Sequence, residues 1–148
     1  MDEAVKRAQT WLNDTYNGKK GYSTITADGI IGAGTIKALI IALQIEEGDS
    51  NPDGIFGKNT AANCPELSKG YIDVTHHFCK LLQHALYCKG YDPGSVKGTF
   101  GSTTETAIQN IQRDAGIPQT GKVNGKLMKQ ILSLDALVNR GDEKIREI

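Results

Sequence analysis

Four stretches of the chain place apolar residues three and four positions apart, which is the spacing of one face of an α-helix. They cover residues 5–12, 36–43, 78–86 and 107–111. Alternation of apolar and polar residues, the sign of a half-buried strand, occurs only at 22–26, where loop-like residues surround it. The pattern therefore predicts an all-α fold.

The same order of residues occurs twice along the chain. The matching pairs are Gln9 and Gln83, Gly21-Tyr22 and Gly90-Tyr91, Asp28-Gly29 and Lys97-Gly98, Gln44 and Gln112, and Gly48 and Gly116. Each copy predicts a helix, a loop, and then two further helices, each preceded by a turn. We expect two tandem three-helix repeats, at 1–70 and 71–138. Residues 139–148 are then the start of a further unit, because 142–148 resembles 2–8, or a charged C-terminal tail.

A glycine-containing turn precedes the second and third helix of each copy. The four turns begin at Asp28, Asp53, Lys97 and Thr120, and each has glycine at its second position. Glycine adopts positive φ without a Cβ clash, so these glycines have a structural explanation. We expect the apolar residue two positions further on to pack into the core (Ile31, Phe56, Phe100, Val123). We also expect hydroxyl side chains at 102–104 to cap the following helix.

The combined pattern resembles the peptidoglycan-binding domain family. It comprises Leu-Gln-x-x-Leu, Gly-Tyr, Asp-Gly-x-Phe-Gly-x-x-Thr and Gln-x-x-x-Gly, in duplicate over 4–67 and 74–134. The second copy departs from it at Lys97, in place of Asp, and at 120–125. The stretch 86–94 also resembles the binding part of clostridial and bacillar cell-wall proteins that carry glycoside-hydrolase-like domains.

This resemblance implies a non-catalytic, endolysin-like module of a Gram-positive cell-wall hydrolase. Its partners would be a peptidoglycan glycan or stem peptide and a linked hydrolase domain, and its location the cell wall or the extracellular space. Because related modules serve as prodomains of metalloproteinases, an alternative is a protein-interaction module that packs on a neighbouring catalytic domain. A purely structural spacer is a third reading, since a fold does not determine a function.

Aromatic side chains are the best candidates for carbohydrate binding, because their faces suit the C–H faces of sugars. Tyr87 lies about 180° from the apolar stripe of its helix and Trp11 about 90° from its own, at about 100° per residue. Tyr16, Tyr22 and Tyr91 lie in or beside loops. Together with the turn carboxylates, these positions give a predicted ligand site made of Trp11, Tyr22, Asp28, Asp53, Tyr87 and Tyr91.

Charge and composition narrow the class of partner. Lys plus Arg and Asp plus Glu both number 17, giving a formal net charge of +0. This balance argues against binding to nucleic acid or to an anionic membrane. The N-terminus lacks the basic and apolar segments of a signal peptide. The odd count of three cysteines favours free thiols over a disulfide framework.

Two metal-like patterns are open to a simpler explanation. His77, His84 and Cys88 share one helical face, as zinc ligands do, but Leu81 shares it too. Residues 49–60 imitate a calcium loop through Asp49, Asn51 and Asp53, yet the last ligand position holds Thr60 where a bidentate Glu is needed. The simpler explanation is a polar turn whose carboxylates cap the next helix. We therefore expect no cofactor and no catalytic residues.

Overall fold

The computed structural model describes residues 2–134, and they form six helices. The helices are α1 (Glu3–Tyr16), α2 (Ala33–Glu46), α3 (Lys58–Ala62), α4 (Phe78–Cys88), α5 (Ser102–Asp114) and α6 (Gly125–Ile131). Within 2–134 the only β-type pairs are two isolated bridges, Leu67–Val123 and Ile72–Thr99. The predicted all-α fold is confirmed for this part of the chain.

The apolar stripes of the four longer helices are buried, as their spacing predicts. Val5, Ala8 and Leu12 are fully buried on α1, and α4 and α5 bury their stripes in the same way. Helix α2 differs, because it buries residues around most of its circumference. A helix that is apolar on nearly all sides lies in the interior of a fold, so α2 is its central helix.

One apolar core is shared by both halves of the chain. It contains Leu12, Leu39, Leu82, Ile108 and Ile131, with many neighbours. A smaller cluster joins Val5 and Ala8 of α1 to Cys88 of α4. Trp11, further along α1, contacts His84 and then His77, so the two helices run antiparallel. The packing of α1 on α4 therefore joins the first half of the chain to the second.

A buried glutamine holds each of the four glycine turns. The side-chain oxygen accepts a hydrogen bond from the turn glycine N–H, and the amide nitrogen donates to the carbonyl one residue beyond that glycine. The four pairs are Gln9 with Gly29, Gln44 with Gly54, Gln83 with Gly98, and Gln112 with Gly121, at 2.8–3.1 Å. Each glycine has a φ between 73° and 80°, which confirms the predicted positive φ.

The amide nitrogen also reaches a threonine hydroxyl. In three cases the threonine lies in the first turn of the next helix: Thr35, Thr60 and Thr104, at 3.0–3.2 Å. In the fourth it is Thr120 of the turn itself. One side chain thus connects a helix to a turn and, in three cases, to the helix that follows.

Helix capping differs from the prediction. Gly32, Gly57 and Gly101 occupy the N-cap positions of α2, α3 and α5, without a side-chain cap. Hydroxyls at 102–104 therefore do not cap α5, since these residues already lie within the helix. Thr104 instead donates to the Pro93 carbonyl at 2.8 Å.

Helix α4 takes its cap from a distant aspartate. The Asp73 carboxylate accepts from the N–H groups of Cys79 and Lys80, both at 2.8 Å. The Asp73 N–H in turn donates to the Gly98 carbonyl at 2.8 Å, just as the Asp2 N–H donates to the Gly29 carbonyl at 3.0 Å. An aspartate before the first helix of each half is therefore fixed to the first turn of that half.

The join between the halves, the segment that runs from α3 to α4, is held to the second half by hydrogen bonds. Leu67 and Val123 exchange two backbone bonds of 2.9 and 2.8 Å, and the Phe100 N–H donates to the Tyr71 carbonyl at 2.8 Å. The join therefore runs alongside both turns of the second half. The domain boundaries at 70 and 138 stay predictions, and residues 139–148 lie outside the described part.

Candidate functional site

A cleft of about 790 Å³ runs along the α1–α4 contact and ends at the loop 94–97. Its walls are the outward faces of the two helices. On α1 these are residues three and four positions apart, from Glu3 to Asp14, and on α4 they are Lys80, His84 and Tyr87. This volume lies within the range of small-ligand sites, about 300–1,000 Å³.

Trp11 and His84 form the aromatic floor of the cleft. Their rings stack with centroids 4.7 Å apart and planes 28° from parallel. Tyr16 meets the same indole edge-on, at a centroid distance of 5.5 Å. Trp11 is half-buried, so part of its ring system is open to the cleft. The prediction that Trp11 belongs to an accessible surface agrees with this position.

His84 is neutral at physiological pH. Burial first, and then the positive charges of Lys80 and Arg7, together lower its pKa to about 4. Its Nδ1 atom is buried and has no hydrogen-bond partner among residues 2–134, so a proton there would lack an acceptor. The imidazole therefore acts as an uncharged flat surface beside two cations.

Tyr87 forms the wall opposite the α1 side chains. Its hydroxyl donates to the Gly94 carbonyl at 2.7 Å, which ties α4 to the loop at the end of the cleft. Burial raises the pKa of Tyr87, and the charge of Asp92 raises it as well, so the phenol stays protonated. Tyr87 is only half-buried, and its prediction as an outward-facing residue agrees with this placement.

The other predicted aromatics are not at the surface. Tyr16, Tyr22 and Tyr91 are only 1%, 9% and 2% exposed, so their position in or beside loops does not make their rings accessible to a ligand. The hydroxyl of Tyr22 donates to Asn13 at 2.8 Å and that of Tyr91 to Asp114 at 2.6 Å. A hydroxyl with a nearby partner lets a loop tyrosine enter the core, which position in sequence does not reveal.

The two predicted aspartates belong to their own turns. The Asp28 carboxylate accepts from the Ile30 N–H at 3.0 Å, and that of Asp53 accepts from the Ile55 N–H at the same distance. These backbone bonds lower the pKa of both carboxyls. Both side chains remain exposed, but neither lines the α1–α4 cleft. The structure thus brings Trp11 and Tyr87 together and leaves the other four residues elsewhere.

A second polar cluster lies beside the floor, around Glu46 of α2. The carboxylate accepts from the Tyr16 hydroxyl at 2.7 Å and lies 2.9 Å from His77 and 3.3 Å from His76. Burial alone would raise the pKa of Glu46, but the bonds from Tyr16 and His77 outweigh it and lower that pKa. His77 also meets the Trp11 ring edge-on at 5.9 Å. This cluster fixes the start of α4 against α2.

The residues of the zinc-like pattern do not converge. His77 lies against Glu46, His84 stacks on Trp11, and Cys88 packs among apolar residues. Across residues 2–134, no three His, Cys, Asp or Glu side chains are close enough to hold a metal ion. Cys64 and Cys79 carry free thiols.

The calcium-like loop is a pair of polar turns. Asp49 accepts from the Asn51 N–H at 2.9 Å, and Asp53 bonds the N–H of Ile55 and the amide of Gln44. Neither carboxylate caps α3, contrary to the simpler explanation given to this loop, because the N-cap of α3 is Gly57.

Separately, none of the helices within 2–134 is long and apolar enough to cross a membrane.

Sequence reasoning missed the charged residues of the cleft. Lys6, Arg7 and Lys80 line it with Lys97, which had been noticed only as a departure from the family pattern. The available signal was the position of Lys6, Arg7 and Lys80 on the outward faces of the first and third apolar-periodic segments, 5–12 and 78–86. That signal alone did not say that the two faces meet.

Comparison with known proteins finds a family match in the second half of the chain. Residues 76–131 match the family whose description reads "Putative peptidoglycan binding domain". The whole chain is 42% identical to "Uncharacterized protein FadG" and 41% identical to "Uncharacterized protein YbfG", both of Bacillus subtilis (strain 168). It spans 27% and 21% of the lengths of these relatives, and no solved structure matches. Helices α4, α5 and α6 lie within the residues that match the peptidoglycan-binding family.

Proposed function

We propose that this chain is a non-catalytic module that binds peptidoglycan in the α1–α4 cleft. The family of residues 76–131 supports peptidoglycan as the partner. The observation that carries the choice of site is that Trp11 and Tyr87, from different halves of the chain, line one cleft. An open aromatic floor with polar walls is the arrangement that small-molecule and saccharide sites use.

The chain is then two tandem copies of a three-helix unit, and the cleft lies between the copies. The recurring bonds from glutamine to turn glycine support this division, since Gln9 and Gln44 in the first half correspond to Gln83 and Gln112 in the second. A cleft at a junction of two units is a common location for a ligand site.

The biological role that follows is attachment to the cell wall. The relatives are several times longer than this chain. A linked cell-wall hydrolase would be held near its substrate, so a modest affinity suffices because tethering raises local concentration. The competing role is a prodomain-like module that packs on a neighbouring domain and does not bind wall material.

Co-sedimentation with purified peptidoglycan sacculi tests the proposal. The parent chain should pellet saturably, while an unrelated protein of similar size stays in the supernatant. Tyr87→Leu should weaken binding about fivefold, because one aromatic contact contributes on the order of 1 kcal/mol. The matched control is Tyr71→Leu, since Tyr71 is also half-buried but lies outside the cleft.

Three outcomes are informative. If the parent does not pellet with sacculi of several types, the binding function is wrong and the prodomain-like role gains weight. Equal losses for Tyr87→Leu and Tyr71→Leu would place the site elsewhere. Alanine variants of Tyr22, Asp28, Asp53 and Tyr91 belong in the same series, because their contribution to ligand binding stays a prediction.

A further inference from the structure

The cleft carries cations that have no ion-pair partner within residues 2–134. Lys6 and Arg7 lie on α1, Lys80 on α4 and Lys97 in the loop 94–97. In that part of the chain the ion pairs are those of Glu46 with two histidines and of Arg113 with Asp114, none of them in the cleft. A chain with a formal net charge of +0 thus places, within its described part, four cations without ion-pair partners along one cleft.

Two carboxylates also line the cleft, but they do not neutralise it. Glu3 and Asp14 lie at opposite ends of the α1 face, eleven positions apart and so separated by about 16 Å along the helix. Neither forms a salt bridge with the four cations. Positive charge therefore exceeds negative charge along the cleft, and it is strongest between its ends.

Arg7 and Lys80 approach the floor from different helices. Both act on His84, since the charge of each disfavours a proton on that imidazole. The ring between them is uncharged and buried, so it neither repels nor neutralises an anion placed above it. A negatively charged group in the cleft would lie in the same cavity as one cation from each helix.

We propose that the cleft recognises a free carboxylate of the peptidoglycan stem peptide, held between Arg7 and Lys80, with Lys6 and Lys97 at the rim. This inference rests on the proposed function and specifies its ligand. A chain of N-acetylated sugars offers hydroxyls and neutral amides, which do not account for four unpaired cations. A short peptide offers carboxylates for the cations and aliphatic side chains for Trp11 and Tyr87, and the cleft volume suits a few residues.

The chain contains one tryptophan, Trp11, and it lies in the cleft. Intrinsic tryptophan fluorescence therefore reports directly on occupancy of this site. The probe is a synthetic stem tetrapeptide with free carboxylates, titrated beside the same peptide with every carboxylate amidated. A neutral N-acetylglucosamine oligosaccharide and a poly(glycerol phosphate) chain form two further arms.

The free peptide should change the Trp11 signal saturably, and its affinity should fall as salt is raised. Amidation should weaken binding at least fivefold. The double variant Lys6→Glu/Arg7→Glu should weaken it at least about tenfold, because two exposed ion pairs of up to about 1 kcal/mol each become repulsive. The matched control is Lys126→Glu/Lys129→Glu, which changes the net charge equally on exposed positions of α6.

The outcomes separate this inference from the proposed function. Sacculus binding that survives Lys6→Glu/Arg7→Glu, in a variant with unchanged thermal unfolding, would overturn the carboxylate site and leave the binding function standing. Tighter binding of the poly(glycerol phosphate) or of the neutral oligosaccharide than of the free peptide would overturn it as well. If the parent binds no sacculi at all, both proposals fail.

Discussion

Replacing Gln83 with methionine tests whether the buried glutamines hold the turns. Gln83 is 0% exposed, and its side chain accepts from the Gly98 N–H at 3.1 Å. It donates to the Thr99 carbonyl at 2.9 Å and to the Thr104 hydroxyl at 3.2 Å. Methionine has nearly the same length and volume as glutamine, but its thioether donates no hydrogen bond and is only a weak acceptor. The substitution removes the hydrogen bonds without opening a cavity.

The expected loss follows from the number and burial of these bonds. Three hydrogen bonds contribute about 1 kcal/mol each, and a buried donor left without its acceptor adds about 1–3 kcal/mol. The Gly98 N–H is such a donor, because Gly98 is buried. Burial of the apolar methionine offsets about 1 kcal/mol. We expect Gln83→Met to lower the free energy of unfolding by about 3–5 kcal/mol, and the melting temperature by roughly 6–20 °C for a protein of this size.

Urea and thermal denaturation followed by far-ultraviolet circular dichroism measure this loss. Gln119→Met is the matched control, because Gln119 is exposed and should change the free energy of unfolding by less than about 0.5 kcal/mol. Should Gln83→Met behave like Gln119→Met, the glutamine bonds do not stabilise the turns. A companion variant, Gln83→Glu, keeps the acceptor but places a carboxylate near the Thr99 carbonyl, so it should be less stable at pH 7 than at pH 4.

Three further predictions concern packing, pH and capping. Gly125→Ala should be strongly destabilising by thermal melting, because its Cβ would lie 2.1 Å from the backbone oxygen of Ala61, whereas Gly34→Ala, with no atom within 4 Å, should be neutral or stabilising. The pKa of His84 is lowered to about 4 in the folded chain, so the unfolded chain binds a proton more readily. The stabilising contribution of the neutral imidazole is complete above about pH 6.5. As pH falls towards 4, the free energy of unfolding should decrease by about 3 kcal/mol. Urea denaturation at several pH values should show this slope, and His84→Gln should abolish it; an unchanged slope would contradict the assignment. Asp73→Ala should cost about 1–2 kcal/mol in the same assay, because two N–H groups at the start of α4 lose their acceptor, and a neutral result would show that water replaces the carboxylate.

The helices could be predicted from sequence because their signals are local. The 3.6-residue spacing in 78–86 and 107–111 identifies buried faces without knowledge of the partner helix, and both faces are buried as expected. The positive φ of Gly29, Gly54 and Gly98 followed from turn chemistry in the same way. Wherever a property depends on one helical turn or one β-turn, the residues themselves carry the information.

The cleft could not be predicted because it depends on the contact between two distant segments. Trp11 and Tyr87 were selected singly as outward-facing aromatics, and only the antiparallel packing of α1 on α4 brings them together. Tyr22 and Tyr91 were placed at the surface because loop position says nothing about a hydroxyl partner elsewhere in the fold. Gln83 was noticed as a marker of the repeat, but its three hydrogen bonds reach residues 15–21 positions away.

The location of the cleft bears on how this protein can be divided and recombined. Residues 76–131 match the family by themselves, yet Trp11 and Arg7 come from a helix that precedes this segment. A fragment cut at the family boundaries would keep Tyr87 and Lys80 but lose the opposite wall. Under the proposed function, grafting that fragment onto an enzyme would transfer the family match without the complete binding cleft, because the cleft extends beyond the residues that match the family.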